Sequence, residues 1–173
     1  MSTPGWALTA AYWLHMLATV VWIGGLAALA LFVLPAAGKT LEAESYARFL
    51  GDLQRRLDPL GWFSLVVLAG TGMFQMSANP NYHGFLAVES RWATAILLKH
   101  LLFLGMVMLS AYQTWFLLPQ LRRIALRQAR ESEDGQITQG AGEASRQGEL
   151  RLMRVNLALG VLILALTAAA RAA

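Results

Sequence analysis

Four long stretches of the chain are almost free of charge, and polar, proline-bearing segments separate them. The first runs from Trp6 to Leu34 and is closed by Pro35. The second covers about 60–78, opened by Asp58-Pro59 and closed by Asn79-Pro80. The third covers about 92–118 and is closed by Pro119; the fourth, about 152–170, starts among Arg151, Arg154 and Asn156. A membrane helix needs about 20 mostly apolar residues, so each stretch is long enough to cross a bilayer. The arginines at the start of the fourth can extend to the interface. The expected fold is all-α and integral to a membrane: a single domain, 1–173, built as a four-transmembrane-helix bundle. The first run is expected to remain as a span and not to be cleaved as a leader. No Lys or Arg precedes it, and it exceeds the roughly 7–15 apolar residues of a leader.

The connecting segments differ from one another. Leu41, Phe49, Leu50, Leu53 and Leu57 fall near one helical face, with charges opposite. Thr40 can cap such a helix, and Glu42 and Glu44 suit its positive end. Thr40–Leu57 therefore reads as an amphipathic helix in the membrane interface, between spans one and two. A docking helix for a partner is the alternative. Residues 131–149 are rich in Gly, Gln, Ser and charge and read as a mobile linker.

Composition narrows the class further. Hydrophobic residues make up 57% and charged residues 14%, against about 25% charged in soluble domains. Cysteine is absent, which excludes disulfides, thiolate ligands and iron–sulfur clusters. The formal net charge of +4 would fit nucleic acid, but the positive residues flank apolar spans, so orientation in a membrane is the expected use. Lys39, Arg48, Arg55 and Arg56 sit in one loop, and Arg122, Arg123, Arg127, Arg130 and Arg146 in another. The remaining ends carry only Arg91 and Arg171. Both basic loops are expected in the cytoplasm, with the N- and C-termini on the other side of a bacterial-type cytoplasmic membrane.

Polar groups inside the spans are few. Ala11, Ala18 and Gly25, then Ser64, Thr71 and Gln75, and finally Asn156, Gly160 and Thr167 read as helix-packing residues. No Asp or Glu falls within the four stretches, so a carboxylate relay or sodium site is not expected. No phosphate-binding loop, His-Glu-x-x-His motif or nucleophile elbow is present, and chemistry would have to come from a bound cofactor.

His15, Lys99 and His100 stand apart, because ionisable side chains at membrane depth are costly. His15 lies nine positions after Trp6, and His100 eight after Trp92. Both should sit ~12–14 Å below the outer boundary. Two imidazoles at one depth can grip a metal centre between facing helices. Lys99 points about 100° away from His100 and can border the same cavity, or extend to the interface. Met73 and Met76 are three apart and are expected to share a face, with Met16 beside His15 and His83 in the outer loop. Thioether and imidazole ligands suit copper; the methionines read first as ordinary apolar filler.

These residues carry a resemblance. Leu14-His15 followed by Val21-Trp22-Ile23-Gly24-Gly25, the run to Phe32-Val33-Leu34-Pro35, Gly70-Thr71-Gly72 and Leu97-Leu98-Lys99 resemble the copper-resistance D (CopD) membrane family. More distantly, the chain is similar to the HemJ-type protoporphyrinogen oxidases, whose paired His and Lys would fall on His15 and Lys99. HemJ proteins usually continue past the Gly-Gly with an arginine-containing stretch; residues 27–34 here contain none.

Three functions remain open on this basis. One is a b-type haem or related tetrapyrrole with His15 and His100 as axial ligands and Lys99 paired to a propionate, serving electron transfer or, in HemJ-like fashion with Lys99 as catalytic residue, porphyrin oxidation. The second is copper binding and transfer through His15, His100, Met73 and Met76. The third is a cofactor-free subunit of a larger membrane complex. Expected partners are the lipid bilayer and either a redox partner or other membrane subunits, with no nucleic acid.

Overall fold

A computed structural model describes residues 4–80, 82, 84, 91–117, 119–120, 123 and 139–172. The described residues contain helices and turns and no strand. Helix α1 spans Gly5–Ala27, a π-helical segment follows over Ala28–Val33, and α2 covers Leu34–Thr40. Helix α3 runs from Ala43–Ser77, α4 covers Arg91–Tyr112 with a second π segment at Gln113–Leu117, and α5 covers Gln139–Ala172. Four helical stretches are long and apolar enough to cross a membrane: Gly5–Thr40, Arg48–Ser77, Trp92–Leu117 and Gln147–Ala170. Trp13, Val20, Phe63, Val66, Met108 and Val161 are exposed along them. Apolar surface of that extent calls for lipid as solvent.

The helices are longer than their apolar patterns suggest, and proline chemistry explains why. Pro35 was expected to close the first span, but the helix passes through it. Proline has no N–H and its ring crowds the carbonyl four residues earlier. That carbonyl belongs to Leu31, inside the widened π turn that gives the ring room. The second π segment precedes Pro119 in the same way, over a similar sequence: Leu31-Phe32-Val33-Leu34-Pro35 against Trp115-Phe116-Leu117-Leu118-Pro119. Within α3, Pro59 lies inside the helix, so Thr40–Leu57 is not a separate element. Residues 43–57 are helical as the amphipathic pattern indicates, and they continue directly into the second span. Thr40 does not cap them: it ends α2, and its Oγ1 donates to the Ala36 carbonyl at 3.0 Å.

The fourth helix begins at Gln139, so residues 139–149 of the expected linker are helix, while 131–138 lie outside the described residues. One consequence corrects the sequence reading. The apolar stretch Gln147–Ala170 contains Glu149, and Arg48–Ser77 contains Asp52 and Asp58, so carboxylates do occur within the helices that cross.

The chain forms two compact units. The first takes its described residues from Met1–Gly25, Gly61–Val107 and Ala158–Ala173. Here α1 packs closely where small residues permit it: a Cβ on Gly61 would stand 2.8 Å from Cζ3 of Trp22, and one on Gly160 would stand 3.4 Å from Cγ1 of Ile23. Small residues at such crossings let membrane helices approach and gain dispersion contacts. The second unit takes its described residues from Leu26–Leu60 and Met108–Leu157. Its core is Leu34, Ala37, Tyr46 and Leu50, flanked by Leu41, Phe49, Leu150 and Met153. The apolar face of residues 43–57 thus rests on α2 and α5.

Candidate functional site

The site lies in the first unit, where two rungs join α1 to α3. Gln75 Nε2 donates to the Ala11 carbonyl at 3.1 Å, and His15 Nδ1 lies 2.8 Å from Thr71 Oγ1. Ala11 and His15 are four apart, as are Thr71 and Gln75, so each pair lies on one helical face. The numbers run in opposite senses, as antiparallel neighbours require. Sequence reasoning assigned Thr71 and Gln75 to packing; the structure gives them contacts to the helix that carries His15.

The hydrogen-bond network fixes the imidazole tautomer. Thr71 Oγ1 donates its one proton to the Val67 carbonyl. It can therefore only accept from His15, whose Nδ1 must carry the hydrogen. In the neutral ring the lone pair then lies on Nε2, the nitrogen available to a ligand. The ring lies over Gly72, where a Cβ would stand 3.4 Å from His15 Cε1, so glycine leaves it this space. Thr19 Oγ1 donates to the His15 carbonyl at 2.7 Å, on the same helix.

The other expected site residues divide. Lys99 is half-buried, and its charge is near enough to be felt at the His15 ring. His100 is half-buried as well, and its Nδ1 donates to the Ile96 carbonyl at 2.7 Å. A carbonyl only accepts, so the neutral His100 ring also keeps its lone pair on Nε2. Among the described residues, Thr71 and Lys99 are the side chains that act on His15. Met73 and Met76 do not share an environment: Met73 is 57% exposed and Met76 8%. Met73 stands roughly 200° around the helix from Thr71, away from the face that meets His15. Met16 is exposed, and His83 lies outside the described residues. No group of three His, Cys, Asp or Glu side chains forms a metal cluster among the described residues.

Residues 51–170 match the family described as Copper resistance protein D, CopD, over more than half of the chain. The chain belongs to the CopD family. The matched CopD region contains Thr71, Met76, Lys99 and His100, whereas His15 and the Trp22–Gly25 run lie before it. No curated protein and no solved structure matches the chain. It is an integral membrane protein of this family, in contact with the bilayer through its apolar helices.

Proposed function

We propose that this CopD-family protein binds copper within the bilayer and passes it on, with His15 as the leading ligand. The observation that carries this reading is the Thr71 contact at 2.8 Å, which holds His15 with Nε2 free to coordinate. Metal-bound imidazoles usually donate their other ring N–H to a fixed acceptor, and both His15 and His100 do so here. His100 Nε2 and the buried thioether of Met76 are the further candidate ligands, and their softness suits Cu(I). The ammonium of Lys99 near His15 repels a bound cation, which favours release over storage. In this reading the basic loops face the cytoplasm and both termini face outward.

A second reading places a tetrapyrrole at His15. It rests on the same lysine, because an ammonium beside an axial imidazole can pair with a propionate. The family match speaks for copper and lends no weight to haem.

The test uses the full chain in lipid nanodiscs, loaded with Cu(I) under reducing conditions. Copper is expected to bind at a fixed ratio, and His15→Ala to lose it while keeping the helical circular dichroism of the parent. Copper retained in full by His15→Ala would overturn the assignment. A Soret band in protein purified without added metal, lost in the same variant, would move the assignment to the tetrapyrrole.

A further inference from the structure

The second unit contains a buried carboxyl that the copper site does not use. Glu149 is 1% exposed, and both its oxygens lack a hydrogen-bond partner among the described residues. It stands seven residues before Asn156, on the same face of α5. Asn156 is 1% exposed too; its Nδ2 donates to Ser110 Oγ at 2.8 Å and its Oδ1 is unpartnered. Gln113, three residues after Ser110, is buried with its Nε2 unpartnered. The Asn156–Ser110 bond sets the register of α4 against α5. It places Gln113 and Glu149 on the same side of that bond, since one helix counts up where the other counts down. These buried polar residues share one side of the α4–α5 pairing, and Leu150 and Met153, from the same stretch of α5, pack against the cluster that includes Tyr46.

An ionised carboxylate does not persist in such surroundings uncompensated, because removing a charge from water without a partner is strongly unfavourable. Something must neutralise it. Among the described side chains of the neighbouring elements, the charged ones do not: Lys39 of α2, Arg48, Asp52, Arg55 and Arg56 of α3, and Arg151 and Arg154 of α5 are all exposed. Asp58 is half-buried and of the same sign, α4 contributes the exposed phenol of Tyr112, and Tyr46 is the buried phenol of α3. A metal cation is a poor answer. The next unpartnered acceptor on this face, Asn156 Oδ1, belongs to a residue ~10 Å along the helix, too far to share one ion with Glu149.

We propose that Glu149 is a proton-binding site, its carboxyl carrying a proton inside the second unit and exchanging it with water. Exchange breaks the carboxyl O–H bond, leaves the electron pair on Glu149 and passes the proton to water. Water is the other reactant, and the carboxylate left behind takes a proton back from it. The site is separate from the copper reading and stands if that reading fails.

The test is infrared spectroscopy of the full chain in lipid nanodiscs at neutral pH, with glutamate carrying a carbon-13 carboxyl. The expected spectrum contains a protonated-carboxyl band that shifts with the label and in heavy water, and that disappears reversibly when the pH is raised. The band is expected to lose one carboxyl equivalent in Glu149→Gln and to remain in Glu42→Gln, whose carboxyl is exposed. Absence of a labelled protonated band in the parent protein would overturn the proposal, whether or not the variant folds. So would a band that Glu149→Gln leaves unchanged, or one that never responds to pH.

Discussion

The two units differ in how far their buried polar groups are paired. In the first, two polar side chains that cross from α1 to α3 or back find partners, Gln75 at Ala11 and His15 at Thr71, and the buried group left without one among the described residues is Trp22 Nε1. In the second, a well-filled apolar core built on Leu34, Ala37, Tyr46 and Leu50 stands beside groups left partly unsatisfied, namely Glu149, Gln113 and the oxygen of Asn156. A paired polar ladder holds one side chain in one tautomer and orientation, which a ligand site requires. An unsatisfied buried group has spare capacity, and in an apolar setting that capacity goes to whatever proton or water can reach it. The first arrangement fits holding, and the second fits exchange.

The contrast can be broken most severely at the core of the second unit. Leu34 is fully buried, and Leu34→Ala is expected to cost about 2–5 kcal/mol, as large-to-small core changes do. Reversible unfolding in mixed micelles would read this as a lower midpoint. Next comes Gly61→Ala in the first unit, where the new methyl meets Trp22 at 2.8 Å. Overpacking of that kind costs about 1–3 kcal/mol, and Trp22→Leu in the same background is expected to restore part of it.

Thr71→Val sharpens the comparison at the site itself. It removes the acceptor for His15 Nδ1 while keeping the shape of the side chain. Copper affinity is expected to fall ~10–100-fold, the usual effect of losing the group that orients a metal-bound histidine. Thr71→Ser, which keeps the hydroxyl, is expected to restore most of it; a competition titration with a Cu(I) chelator measures both. Unchanged affinity in Thr71→Val would show that Thr71 does not position the ligand. The smallest effect is expected for Asn156→Leu. It deletes the Ser110 bond and an unsatisfied oxygen together. Hydrogen bonds between membrane helices average about 0.6 kcal/mol, so unfolding should shift little.

Much of this was legible in the pattern of apolar runs. The four crossings, their approximate positions and the family resemblance all follow from residues close in sequence. His15, Lys99 and His100 were legible as well, because an ionisable residue in an apolar run stands out without reference to its neighbours. Less legible were the ends of helices. Pro35 reads as a stop and Pro59 as a start, yet a π turn accommodates one and the other lies inside a continuous helix. Glu149 went unrecognised for the same reason: a Gly-, Ser- and charge-rich segment reads as linker until tertiary contacts extend the helix backward through it.

By itself, the sequence determined that the chain is helical, that it crosses a membrane four times and where ionisable side chains interrupt its apolar runs, because length, hydropathy and charge are local properties. Tertiary structure alone decided what those side chains face. It set Thr71 against His15 and so fixed the tautomer, turned Met73 outward while burying Met76, and enclosed Glu149. Each of these depends on rotation and register between helices distant in sequence, which the packing of small residues and the antiparallel pairing of α1 with α3 set.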